Sequence, residues 1–204
     1  MSITLVIIVV TVMISMSALN NRTLFEKLLF QPSIMHDGRS RYRFLSHAFV
    51  HGSGMHLLVN MYVLWMFGSQ VEDAYGMAQG RDPLLAYLLL YVGGIIFSAL
   101  PGYYKYRDNP TYRAVGASGA TSAVVFAFIL LHPDVKLMLI FLPIPMAAWI
   151  FGALYLLYEW YMSKRGGDNI AHDAHYFGAL YGIAFTAVID PQAIPHFIRT
   201  VGLF

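Results

Sequence analysis

Six apolar runs recur along this chain, at about 3–19, 54–71, 84–102, 115–132, 137–161 and 173–189. Each comes close to the roughly 20 residues a helix needs to cross a bilayer. They predict an all-α membrane protein, a six-helix transmembrane bundle that forms one domain over residues 1–204. The fifth run contains Pro143 and Pro145, which predicts a kink or break there, because proline cannot donate to a helix ladder. Charged residues make up only 12% of the chain, against roughly 25% in a soluble domain. The lipid bilayer is therefore an implied partner.

The runs are joined by short connections except the first, about 20–53. There Arg22, Lys27, Arg39, Arg41 and Arg43 stand beside Tyr42, Phe44 and Phe49. That mixture suits a loop lying in the membrane interface. With no cysteine, thiol catalysis, disulfides and cysteine-held metals are excluded. A net charge of +2 is too small to imply nucleic acid. The first residues lack the positive stretch of a secretory leader, so 3–19 is read as a retained span.

Parity sharpens this picture. Spans 2, 4 and 6 run in one direction, so residues near their N-terminal ends lie at one membrane face. Those residues are His56 and Asn60, Ser118, and His172 and His175. All fall within about one to two turns of a helix start, at about 1.5 Å of rise per residue. Polar groups at such depth are costly and face the bundle interior.

A serine hydroxyl is a weak nucleophile until a base takes its proton. His175 is the candidate base for Ser118. Near a helix start, backbone N–H groups lack helical acceptors and can stabilise an oxyanion. Gly116, Ala117, Gly119 and Ala120 surround the serine with small residues that permit close approach. Such a stretch alone equally fits a packing seam. His56 and Asn60 lie four residues apart on one helix face, where they can donate to a developing negative charge or hold two helices together. Gly178 and Gly182 form G-x-x-x-G after His175, a spacing that lets helices pack closely. His47 and His51 are read as structural, His172 and Asp173 as a solvated loop end, and Glu72 and Asp73 as groups closing span 2.

Together these residues resemble the rhomboid family of intramembrane serine proteases. The block from Tyr42 to Gly68 resembles the family's first loop and second helix, with H-x-x-x-N at His56 and Asn60. "EDAYG" resembles its E-x-x-x-G helix ending through Glu72 and Gly76. "GASG" gives Ser118, and "AHYFGALYG" resembles the histidine motif, giving His175. The resemblance covers about residues 40–190. It implies a Ser118–His175 dyad with no required acid, and an oxyanion hole from His56, Asn60 and the Ser118 N–H. It implies transmembrane-helix substrates cut near the membrane boundary, and no metal or other cofactor. The family's first-loop W-R pair reads Tyr42-Arg43 here. One turn after the nucleophile, where some members carry an aromatic that stacks on the histidine, stands Ser122, so another group must orient His175.

Orientation is contested. The odd loops carry ten Lys/Arg and the even loops with the C-terminal tail carry three, which would place the odd loops in the cytoplasm. The family arrangement puts them outside, and we follow it. The minimal core and the absence of an organelle-like leader suggest a bacterial inner membrane, with the site opening on the extracytoplasmic side.

Two other classes compete. Five histidines in "HAFVHGSGMH" and "HDAH" could serve a metal-dependent membrane oxidase, though that leaves GASG unexplained. A relative without catalysis could instead bind transmembrane helices.

Overall fold

The computed structural model describes residues 2–36, 38–77, 82–139, 142–168 and 170–202. Helix α1 spans Ile3–Leu19 and α2 spans Arg22–Leu28. Two short 3-10 turns flank α3, Arg43–Ser46. Then follow α4 (Gly54–Met77), α5 (Pro83–Tyr106), α6 (Ser118–Leu131), a hairpin of β1 (Lys136–Leu139) and β2 (Leu142–Ala147), α7 (Ala148–Arg165), α8 (His172–Ile189) and α9 (Ala193–Thr200).

Helix α6 is the axis. Every residue from Gly119 to Leu130 is buried, as expected of a helix that is apolar on all sides. It packs against α4, α5 and α8. The closest approach is to α8, and glycine sets it. A Cβ on Gly178 would collide with the backbone carbonyl of Gly119, and one on Gly182 with that of Ala123. On the α5 side, a Cβ on Gly119 would run into Ser98. Gly76 differs. A Cβ there would sit 3.8 Å from Pro83, in ordinary contact.

Helix starts are satisfied by side chains. Glu72, near the end of α4, accepts from Ser2 Oγ at 2.7 Å, the Ile3 N–H at 2.8 Å and the Thr4 N–H at 3.1 Å. An anion at a helix N-terminus also suits the helix dipole. The first loop is braced rather than loose. Arg43 is buried, and its Nη1 donates to the Glu26 carbonyl at 3.0 Å and the Leu29 carbonyl at 2.5 Å. Phe30 and Ala114 exchange two backbone hydrogen bonds, and the Gly116 N–H donates to the His47 carbonyl at 3.0 Å. The first loop thereby holds the segment that leads into Ser118.

The fold corrects one expectation. The chain is mostly helical, not all-α, because the expected fifth span begins as an antiparallel hairpin, with Lys136 opposite Ala147 and Leu137 opposite Met146. Pro143 and Pro145 fall in β2, and helix starts only beyond them. A proline inside a helix removes a hydrogen bond and clashes with the preceding turn. The six-span count is a separate matter, which helix length alone does not establish. Among the described residues, α5 is long and apolar enough to cross a bilayer by itself, as is α8 with α9 if that pair, bent by 112°, counts as one span. Helix α6, at 14 residues, rises only about 21 Å against a hydrocarbon core of about 30 Å.

Candidate active site

Ser118 opens α6, and Gly116 makes that start possible. Its φ of 114° lies in the region that favours glycine. A Cβ there would also collide with the His56 ring. The expectation that Gly116 admits neighbouring backbone is thus refined: it admits an imidazole and turns the chain. The N–H groups of the first turn of α6 have no acceptor within the helix.

His175 enters from α8, one turn before Gly178. Its Nε2 lies 2.8 Å from Ser118 Oγ. The Gly178–Gly119 contact fixes this separation, since both residues sit within one turn of the pair. His56, Asn60, Ser118 and His175 all line one cavity of about 1720 Å³. Its walls come from α4, α6, α7 and α8, with the end of α5 and β1 contributing, and its apolar lining includes Met55, Leu58, Val59 and Tyr62 from α4 and Phe151 and Tyr155 from α7. Asn60 donates one amide hydrogen to the His56 carbonyl at 2.9 Å, leaving its second donor uncommitted to that bond.

Sequence reasoning missed Glu159. This α7 carboxylate is 4% exposed, and its Oε1 lies 3.1 Å from His175 Nδ1. Its Oε2 lies 2.6 Å from His172 Nδ1. His172 Nε2 then reaches Asp168 Oδ2 at 3.0 Å. His172 is therefore no solvated loop end: it is 3% exposed, flanked by two carboxylates. Its N–H holds the exposed Asp168 carboxyl below the ordinary range. Ser122 bonds the Tyr155 hydroxyl at 3.0 Å and leaves His175 to Glu159. A signal was available, because Glu159 is the sole carboxylate in the fifth apolar run, and an ionisable residue in such a run is a functional candidate by default.

Glu159, His172 and His175 also bring three atoms of metal-ligating type within 4.8 Å of one another. The carboxylate already bridges both imidazoles at hydrogen-bond distances, so we read a hydrogen-bonded chain. The other histidine cluster is consumed by the fold. His47 Nδ1 donates to the Arg43 carbonyl at 2.9 Å. His51 Nδ1 donates to Ser15 Oγ at 2.8 Å, because that hydroxyl gives its own proton to the Phe49 carbonyl. His51 Nε2 accepts the Ala117 N–H at 3.3 Å, one residue before Ser118.

These two loop histidines carry a pH dependence. Burial pushes His47 down to about 4. Burial, with the neighbouring His56 and His47 rings, pushes His51 down to about 3. An unfolded histidine titrates near 6.5, so below that pH the unfolded chain takes up protons that the folded chain refuses. Stability is full above about pH 6.5 and falls as pH drops toward 4. Thermal melts in detergent should show a lower midpoint at about pH 5 than at about pH 7, and a smaller difference in His51→Asn.

The fold and this serine–histidine geometry define a helical protein of the rhomboid class. The family model "Rhomboid domain" matches residues 38–192, and the chain belongs to the rhomboid family. It is 32% identical over 139 residues to presenilin-associated rhomboid-like protein A, mitochondrial, of Danio rerio, covering 67% of this chain and 34% of that protein. It is 30% identical over 146 residues to RHOMBOID-like protein 12, mitochondrial, of Arabidopsis thaliana, covering 66% and 42%. It is 27% identical over 165 residues to rhomboid protein 1, mitochondrial, of Saccharomyces cerevisiae, covering 75% and 44%. The chain thus matches less than half the length of each of these relatives. Their mitochondrial identity overturns the bacterial inner-membrane expectation, together with its extracytoplasmic opening. That expectation rested on the minimal core and on reading no organelle-like leader, and neither speaks to compartment when so much of each relative lies outside the match.

Proposed function

We propose that the protein is an intramembrane serine endopeptidase that cleaves transmembrane helices near the membrane boundary, in a mitochondrial membrane as its relatives' names suggest. The observation that carries this is the 2.8 Å approach of His175 Nε2 to Ser118 Oγ at the start of α6. His175 takes the hydroxyl proton as Ser118 Oγ attacks the scissile carbonyl. The proton passes to the leaving amine, and an acyl-enzyme remains. Water, deprotonated by His175, then releases the acid product. The Ser118 N–H, His56 and Asn60 line the side where the oxyanion would form. A cavity of about 30 Å³ beside Ser118, lined by His47, Ser98 and Asp173, has room for one water. The wide cavity between α4 and α7 suits a substrate helix arriving from the side, and its apolar wall suits an unwinding apolar segment. Six spans, with α6 short and central, would bring that chemistry below the membrane surface.

The test is labelling of detergent-purified protein by a fluorophosphonate probe, with Ser118→Ala alongside. Labelling of wild type alone is expected. An unlabelled, folded wild type that still binds a transmembrane peptide would instead identify a helix-binding relative without catalysis.

A further inference from the structure

The family resemblance supplies a dyad and no acid, yet the described structure sets a buried carboxylate behind the base. Donor counting decides what it does. An ionised carboxylate only accepts. Both nitrogens of His172 face carboxylate oxygens, at 2.6 Å to Glu159 and 3.0 Å to Asp168. Asp168 is exposed and solvated. Asp168 takes the Nε2–H, and the one proton between Nδ1 and Oε2 lies on the imidazole, the stronger base of the two, which gives His172 a positive charge. That charge, directly against Oε2, favours the ionised form of Glu159. The remaining oxygen, Oε1, must then accept from His175 Nδ1 at 3.1 Å.

We propose that Glu159 is a positioning residue for the base: it takes the Nδ1–H of His175, which leaves Nε2 free of a proton toward Ser118, and His172 holds Glu159 ionised. The inference rests on the protease reading above. It explains why Ser122 can stand where some relatives stack an aromatic ring: α7 orients the imidazole instead. It also accounts for the burial of His172, since Glu159, His172 and Asp168 then form an alternating line of charge that reaches solvent. The titratable groups facing this line are Tyr158, whose ring lies 5.7 Å from His172, Tyr155 one turn earlier on α7, and His175 itself. The wrong tautomer is costly wherever a histidine must accept a serine proton. In the serine-protease triad it lowers kcat by roughly 10,000-fold.

Two measurements on purified protein test this. Nitrogen-15 NMR of histidine-labelled wild type should show His175 protonated at Nδ1 and bare at Nε2, and the opposite tautomer would overturn the proposal without any variant. In kinetics with a transmembrane peptide, Glu159→Leu should lower kcat at least about tenfold with KM within about twofold. Glu159→Asp should recover most of that loss. His172→Phe should lower kcat in the same manner as Glu159→Leu. Wild-type kcat in folded Glu159→Leu overturns the proposal, as does an equal loss in the aspartate and leucine variants. Unchanged kcat in His172→Phe overturns the part assigned to His172. A wild type that neither labels with fluorophosphonate nor cleaves overturns the dyad first, and this proposal with it.

Discussion

Replacing His175 by alanine is expected to lower kcat for a transmembrane-helix substrate by roughly 100- to 10,000-fold, the usual span for loss of a positioned general base. The protein should remain folded, because His175 borders the cavity, from which water can reach the Oε1 that its departure leaves without a donor. Glu159 keeps His172 as a donor through Oε2, and Ser118 Oγ gains access to solvent. KM should move little, since the imidazole meets the reacting atoms and not the body of the substrate. Steady-state kinetics on purified wild type and variant, with thermal melts beside them, check both halves. A variant with raised KM and unchanged kcat would make His175 a binding residue.

A second large effect lies outside the reacting groups. Gly178→Ala is expected to destabilise the protein by about 1–3 kcal/mol, in the range of overpacked cores. The new Cβ meets the backbone of Gly119, and backbone cannot rotate away as a side chain can. Alanine gains up to about 1 kcal/mol of helix propensity over glycine, which the collision outweighs. Relief requires α8 to move from α6, and Ser118 and His175 ride on those two helices. The fluorophosphonate labelling rate should therefore fall together with the melting temperature. Gly76→Ala is the control. There the Cβ has room, so the propensity gain stands alone and stability should hold or rise. Two glycines of the resemblance's motifs thus separate into one that packs helices and one whose substitution the surroundings admit.

The contrast shows what the sequence could disclose. Apolar runs and their parity single out Ser118, His175, His56 and Asn60 as a group, because helix direction alternates by simple counting, and the four line one cavity in the described structure. G-x-x-x-G spacing pointed to a close helix pair, because small residues at that interval have one common use. Three things were hidden. The fifth run reads as continuous apolar residues, and only three-dimensional pairing shows that its first part is a hairpin. Glu159 lies 16 positions before His175, too far for any local pattern to join them. His172 reads as a loop end because the carboxylate that buries it, Glu159, comes from α7, while its other partner, Asp168, is a loop residue four positions before it. Compartment was illegible for a different reason: no side-chain pattern within the matched core encodes it.

The carboxylate behind the base belongs to α7, and the base belongs to α8. Their 3.1 Å hydrogen bond therefore works as a gauge of the distance between two helices. The wide cavity opens between α4 and α7, so any outward swing of α7 that widens this side withdraws Glu159 from His175 in the same motion. Here the cavity and the bond coexist, so a segment that fits the space already present meets an oriented imidazole, and only a wider swing of α7 would break the bond. On the protease reading, a guest too bulky for that space would disarm the serine by the act of entering, so the same bond that orients the base would also limit the girth of what is cut.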